Sequence, residues 1–339
     1  MGKILIIFPG ALGDILLALP VIQAIKHRFP TAVLDFVGDV RYFGLLKCTF
    51  LFNSCFDFNS SDFITLFSPT ANYPAAANFF RSYDLAIVWL RCPGSEKQLA
   101  DKLKKYGIRT VIINDPNPQP HPPIHHTRYL LNSVKQLLES QILVPPYFRL
   151  SGELQQFARS FFLNYPNRRW VVVHPGSGSP CKNWSLENFA AVINQLNERG
   201  WGVLVPIGPA ERSNKELLQK LCSRAVFVEN LAIEKLAALF SRCSACIGND
   251  SGISHLAALV GIPTLVLFVG TNPAIWAPWG KNVFILAKDS TIPITTEQTF
   301  CLKLPVSNTK SSLQIVECLS TVKVIHKVIE ILEGEQTSY

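Results

Sequence analysis

The sequence predicts an α/β protein of two doubly wound domains, and three observations carry that expectation. The 339 residues suit two domains of about 150 residues each. Short, continuously apolar runs alternate with stretches of helical apolar spacing, the pattern of parallel strands covered on both faces. The alternation starts afresh after Pro145-Pro146, which reads as a linker.

In the first half, Lys3–Phe8 is a continuous apolar run and reads as the first strand. Pro9 to Asp14 is a turn, and a helix follows with Ile15, Ala18, Leu19 and Ile22 on one side. Pro20 within it predicts a kink or a shifted start. Val33–Val37, Leu85–Trp89 and Val111–Asn114 read as further strands. From Asn114 to Pro123 there are five prolines and no periodicity, so this is a loop. His121, His125 and His126 lie in or beside it and read as loop histidines. A helix over Arg128–Ser140 follows.

In the second half, helices are expected over Glu153–Leu163, around Phe189–Leu196, from about Glu211 to Leu221, and around Ile233–Phe240. Strands are expected at Trp170–His174, Val203–Ile207, Val226–Val228, Ala245–Gly248 and Thr264–Phe268. Ile325, Val328, Ile329 and Leu332 mark a last amphipathic helix. The expected division is an N-terminal domain over 1–148, a C-terminal domain over 149–320, and a C-terminal helix over 321–339 that packs back on the first domain. Two such domains imply a central cleft, where ligands normally bind.

Composition narrows the function. Hydrophobic residues are 48% and charged residues 17%, which suits a filled core and excludes global disorder. The net charge of +8 is spread over both halves, with 15 Lys/Arg against 10 Asp/Glu in residues 1–150. That is no dense basic stripe, so no nucleic-acid partner is expected. It suits an anionic substrate or an anionic membrane surface; a basic chain kept soluble by its charge is the plainer explanation. The nine cysteines offer one close pair, Cys243 and Cys246, and no zinc-type second pair. They read as reduced, mostly buried thiols of a cytoplasmic protein, with no metal site. Pro9, Gly10 and Asp14 interrupt the N-terminal apolar run too early for a signal peptide. No stretch is long enough for a transmembrane helix.

Three turns carry the chemistry. Each follows a strand, where backbone N–H groups and a helix dipole favour anions. In the first, Gly10 and Gly13 allow a tight turn and Asp14 has two readings. It is either a helix N-cap or a carboxylate that takes a proton from an attacking hydroxyl. The turn is not G-x-G-x-x-G, so the dinucleotide fingerprint of an NAD-dependent oxidoreductase is missing. The second runs from His174 through Ser177 and Gly178 to Lys182 and Trp184. It suits a diphosphate with Lys182 as counter-charge, or else is a Gly/Ser surface loop with a solvated lysine. The third, Gly248 to His255, places Ser251 and Gly252 at a helix N-terminus and His255 about one turn in. Asp250 could accept from sugar hydroxyls; each residue alone could equally be a cap or a core histidine.

Taken together, G-A-L-G-D after the first strand, H-P-G-S-G-x-x-x-K-x-W, and N-D-S-G-x-x-H resemble glycosyltransferase family 9, the bacterial lipopolysaccharide heptosyltransferases. Ile207 to Glu211 and Pro278-Trp279-Gly280, the latter after the last core strand, are similar to that family too. The resemblance covers nearly the whole chain. Ser177 and Gly178 stand where members often carry threonines, and only Cys301 and Cys318 remain of a cysteine-rich loop.

The resemblance implies a GT-B fold: two Rossmann-like domains facing a central cleft, acceptor in the first and nucleotide sugar in the second. It implies inversion at the anomeric carbon with no metal and no cofactor, the nucleotide-diphosphate sugar donor being a substrate. Asp14 would be the general base. Ser177, Gly178 and Lys182 would hold the diphosphate and Glu211 the nucleoside. Asp250, Ser251, Gly252 and His255 would contact sugar and phosphates, and Gly10 and Gly13 would shape the acceptor-side loop. The expected reaction moves a heptose, from ADP-heptose, onto a lipopolysaccharide core. The partners are then an anionic glycolipid acceptor and, transiently, the cytoplasmic face of the inner membrane. The alternatives are another nucleotide sugar, a protein acceptor, or a nucleotide-sugar-binding protein without turnover.

Overall fold

The computed structural model describes residues 2–60, 63, 74–117, 122–139, 143–165, 168–287 and 319–334. The chain divides between Arg149 and Leu150 into two units, each built on its own parallel sheet.

The first unit runs β1 (Lys3–Ile7), α1 (Leu12–Arg28), β2 (Val33–Gly38), α2 (Phe43–Lys47), β3 (Ser54–Asp57), α3 (Pro74–Phe80), β4 (Leu85–Trp89), α4 (Glu96–Lys105), β5 (Thr110–Asn114) and α5 (His126–Ser133). The strand order is β3-β2-β1-β4-β5, with Ile4 beside both Leu34 and Leu85. Ile4 to Ile7 are buried, as the continuous apolar run requires of a central parallel strand. Leu5, Ile7, Val88, Leu99, Leu103 and Phe80 form one side of this core. One charge is buried within it. Asp35 on β2 accepts from the Tyr83 hydroxyl (2.8 Å) and the Ser54 N–H (2.9 Å), and Lys3 Nζ lies 3.0 Å away. A buried carboxylate is tolerated because its oxygens are bonded in this way.

α1 is assigned as one helix through Pro20, starting at Leu12, so the proline does not shift its start. It is apolar nearly all round and buried over Ile15 to Ile22. Thr127 Oγ1 donates to the Leu17 carbonyl at 2.8 Å, one residue beyond the carbonyl that Pro20 deprives of its helical donor. His125 and His126 are not loop histidines. His125 caps α5, its Nδ1 accepting from Thr127 N–H at 3.3 Å, and both rings are buried. His121 lies outside the described residues. α5 ends at Ser133, short of the expected Ser140, and a 3-10 turn follows at Lys135–Leu137.

The second unit runs α6 (Gly152–Leu163), β6 (Trp170–His174), α7 (Leu186–Glu198), β7 (Gly202–Ile207), α8 (Lys215–Leu221), β8 (Val226–Glu229), α9 (Ile233–Phe240), β9 (Ala245–Asn249), α10 (Gly252–Val260), β10 (Thr264–Phe268), α11 (Pro273–Trp276), β11 (Val283–Ala287) and α12 (Thr321–Gly334). The strand order is β11-β10-β9-β6-β7-β8. Winding reverses at β6, which has β7 on one side and β9 on the other. The loops after β6 and β9 therefore leave the same sheet edge side by side, the position where doubly wound sheets bind ligands.

Two elements depart from the sequence expectation here. β11 adds a strand beyond β10, so Pro278-Trp279-Gly280 precedes the last strand instead of following it. α12 packs on its own unit. Val324, Val328, Ile331 and Leu332 join the core built by Val192, Leu196 and Ile247, which corrects the expectation that this helix returns to the first domain. Its buried positions recur every three to four residues, a single stripe that the second core fully occupies.

Candidate functional site

The three turns lie where the sequence puts them, and the structure gives each a different internal role. In the first unit the winding reverses between β1 and β4, and Asp14 follows β1. It is not the N-cap. Ala11 occupies that position, which makes Leu12, Gly13 and Asp14 the first three residues of α1, with Gly10 just ahead. Asp14 Oδ2 reaches back to the Ala11 N–H at 3.3 Å. This is the returning half of a capping box, since alanine has no side-chain acceptor for the other half. Asp14 is half-buried. The Tyr42 phenol shares its field; burial pushes Tyr42 up, and the charges of Asp39 and Asp14 add to this against Arg41.

In the second unit, four strands deliver side chains to one rim. β6 leads to His174, Ser177 and Lys182, and β7 to Glu211. β9 leads to Asp250, Ser251, Gly252 and His255, and β10 to Thr271. Asp250 sits at the centre, 5% exposed. Its Oδ2 accepts from Lys182 Nζ at 3.0 Å and from the Thr271 hydroxyl at 2.7 Å, and His255 Nε2 lies 3.8 Å from Oδ1. Burial opposes its ionisation, but His255, Lys182 and Thr271 outweigh burial and hold the carboxyl below its ordinary 3.8. The Lys182 side chain remains 31% exposed.

Asn249 ties the second and third turns together. It is fully buried; its Nδ2 donates to the Pro175 carbonyl (2.8 Å) and its Oδ1 accepts from the Trp184 N–H (2.9 Å). One amide thus clamps both ends of the loop that carries Lys182. Within that loop the Ser177 hydroxyl is turned inward, 2.6 Å from Asn183 Oδ1 and 2.7 Å from the Ser179 carbonyl. What Ser177 and Gly178 leave available is backbone: among the described residues neither N–H has an acceptor within the chain. Gly178 is exposed, with open space where a Cβ would be. At Gly176 the reverse holds, because a Cβ there would fall on the Glu211 carboxylate.

Glu211 is itself buried. Its Oε2 accepts from the Gly208 N–H at 2.7 Å and its Oε1 lies 3.5 Å from His174 Nε2. Burial works against its charge, yet the His174 and Gly208 contacts keep the carboxyl below its usual value. The other ring nitrogen of His174 is 3.3 Å from the Ser251 hydroxyl. Ser251 is the N-cap of α10 and Gly252 its first residue, which leaves the opening N–H groups of that helix directed at the rim.

Asn249, Thr271 and the linking role of His174 escape the sequence reading. Asn249 stands directly before Asp250 at a strand end, which is the one local signal that could have marked it. Among the described residues no group of three His, Cys, Asp or Glu side chains could hold a metal ion. The described cysteines are free thiols; Cys48, Cys222, Cys243 and Cys246 are buried, and Cys181 is exposed. Burial pushes the Cys222 thiol up to about 11. Cys301 and Cys318 lie outside the described residues.

Residues 98–302 match the family described as "Glycosyltransferase family 9 (heptosyltransferase)". The chain is similar to lipopolysaccharide heptosyltransferase 1 of Pseudomonas aeruginosa, 30% identical over 125 residues, which span 37% of this chain and 35% of that protein. It is 25% identical over 298 residues to lipopolysaccharide heptosyltransferase 3 of Escherichia coli K12, spanning 80% of this chain and 83% of that one. The structure of the E. coli ADP-heptose LPS heptosyltransferase II superposes with a TM-score of 0.73 at 16% identity, covering 98% of this chain and 99% of that one. The shared architecture is GT-B-like, with two Rossmann-like domains.

Proposed function

This chain belongs to glycosyltransferase family 9, the heptosyltransferases, and from that premise we propose that it transfers a heptose from ADP-heptose to a hydroxyl of a lipopolysaccharide core. The observation that carries the reading is the Lys182–Asp250–His255 rim of the second unit, set beside the N-terminus of α10 and the bare N–H groups of Ser177 and Gly178. These groups suit a diphosphate that leaves without a metal. Lys182 supplies the charge, and the backbone donors and helix dipole supply fixed partial charges that need no reorganisation. The names of the relatives support the sugar and the acceptor.

In this reaction the acceptor oxygen bonds to the anomeric carbon as the bond from that carbon to the diphosphate oxygen breaks. Asp14 takes the hydroxyl proton, and the nucleoside diphosphate departs with the electron pair of the broken bond. A single displacement of this kind inverts the anomeric centre. Ser177 acts through the loop it closes, and its N–H and that of Gly178 meet the phosphates. Glu211 is held by His174 and Gly208, and we assign it to the nucleoside side of the donor. Gly10, just ahead of α1, and Gly13, in its first turn, let the backbone come close to the acceptor.

A peripheral position on the cytoplasmic face of the inner membrane fits a glycolipid acceptor. Among the described residues no helix is long and apolar enough to cross a membrane. The test is transfer by purified protein from ADP-heptose to a heptose-deficient core acceptor, followed by mass spectrometry of the product and by ADP release, with and without EDTA. The expected product carries one added heptose of inverted configuration, and chelator leaves the rate unchanged. ADP-heptose that is neither transferred nor bound would overturn the donor assignment. Activity lost with EDTA and restored by Mg²⁺ would overturn the role given to Lys182.

A further inference from the structure

Phe50 combines two costs that a surface residue normally avoids. It holds a left-handed backbone at φ +57°, and the residue is 66% exposed. The other non-glycine residue described in that region is Asn230, a type that tolerates it, whereas a bulky apolar residue there is an outlier. The Phe50 ring is not alone. Tyr147, 54% exposed, meets it edge-on with ring centroids 5.8 Å apart. The Arg149 N–H donates to the Cys48 carbonyl at 2.9 Å, fixing the 143–149 segment beside the end of α2. Along that segment Pro145, Tyr147 and Arg149 are exposed while Pro146 and Phe148 are half-buried. Lys47, whose carbonyl accepts from the Phe50 N–H, is exposed too.

The two segments that carry these rings hold charge of one sign. Residues 40–56 and 140–152 contain no Asp or Glu. Among the described residues neither Lys47 nor Arg149 forms a salt bridge. Exposed rings flanked by unpaired cations match the two attractions that hold a protein on an anionic bilayer, apolar insertion at the headgroup boundary and attraction to acidic lipids. A second copy of this chain fits less well, because two-fold pairing would set the same cations face to face.

We propose that the Phe50–Tyr147 face, with Lys47 and Arg149, is where the first unit docks on an anionic lipid bilayer. The proposal rests on the reading that the acceptor is a membrane-held glycolipid, and it names the surface that brings the enzyme to it.

The test is flotation of the full chain with vesicles of phosphatidylcholine alone or mixed with phosphatidylglycerol. The wild type is expected to bind the mixed vesicles and to bind pure phosphatidylcholine at least about tenfold more weakly. Phe50→Asn suits the left-handed backbone better than phenylalanine does, so it tests the ring without threatening the fold. Combined with Tyr147→Ser it should lower binding to the mixed vesicles at least about tenfold, and Lys47→Glu with Arg149→Glu should do the same. Phe50→Trp should keep binding. Transfer to a delipidated, water-soluble acceptor should be unchanged in Phe50→Asn/Tyr147→Ser.

The docking surface is overturned if that double variant floats like the wild type, or if the wild type floats with neither vesicle. Sedimentation showing a wild-type dimer that Phe50→Asn dissolves would give the face to a second copy instead. If the wild type floats as expected yet transfers no sugar to the soluble acceptor, the transferase reading fails while the docking surface stands.

Discussion

Lys182 Nζ lies 3.0 Å from Asp250 Oδ2, in a carboxylate that also receives Thr271 and faces His255. Lys182, the residue proposed to bind the diphosphate, is thus held in place by a negative charge before any donor arrives. The two members of the pair should then respond to mutation in opposite ways.

Lys182→Ala removes a charge-assisted contact worth roughly 1.5–3 kcal/mol. Calorimetric titration should show ADP binding about 10- to 150-fold more weakly. Asp250→Asn removes a like charge beside the phosphates, so free ADP should bind at least as tightly as to the wild type, while transfer from the intact donor falls. Wild-type ADP affinity in Lys182→Ala would end the phosphate assignment.

Asp14 is the third residue of α1 and returns a bond to the Ala11 N–H, so its replacement has a structural and a chemical component. The structural one is small: an acid in a first helical turn is worth about 0.3–1 kcal/mol. General-base catalysis is worth about 10²–10⁴ in rate. Asp14→Asn should lower kcat by that factor while ADP affinity stays within a few-fold and the melting temperature moves by a few degrees. Activity above a tenth of wild type would leave Asp14 with the helix alone.

Asn249 closes the ends of the Lys182 loop through Pro175 and Trp184. Asn249→Ala leaves a buried carbonyl and a buried N–H unsatisfied, at about 1–3 kcal/mol each. Denaturant titration should show at least about 2 kcal/mol of lost stability, and the surviving folded protein should show a raised KM for the donor. A variant as stable as wild type would mean that the loop closes without this amide.

Asp250 and Glu211 both titrate below their ordinary values. In each case burial opposes the charge, and His255 or His174 overcomes it. Groups depressed in the folded state stabilise it above their unfolded pKa, and that contribution disappears as pH falls through the folded one. Melting temperatures recorded from pH 6 down to pH 3 should therefore fall more steeply for the wild type than for Glu211→Gln. The difference should correspond to at most about one proton. Parallel curves would show that Glu211 is not stabilised as a carboxylate.

The sequence by itself determined nine of the eleven described strands and the three turns. A continuous apolar run is compatible with few environments, and a glycine-rich turn between strand and helix has few uses. Trp170–His174 and Thr264–Phe268 are strands over the residues expected. Two of the four edge strands, β3 and β11, were not read. Ser54–Asp57 is half-buried throughout, so it lacks the apolar run that betrays a central strand.

Tertiary structure alone decided how the turns join. Asn249 meets Trp184 across 65 positions, and Lys182 meets Asp250 across 68. Such pairs arise because β6 and β9 are neighbours in the sheet, a fact of winding order with no local trace in the chain. The destination of α12 was settled in the same way. Its apolar stripe announces that it must be buried, but the stripe carries no address, because apolar burial is non-directional. Only the space left beside Val192 and Leu196 in the second core fixes where it goes.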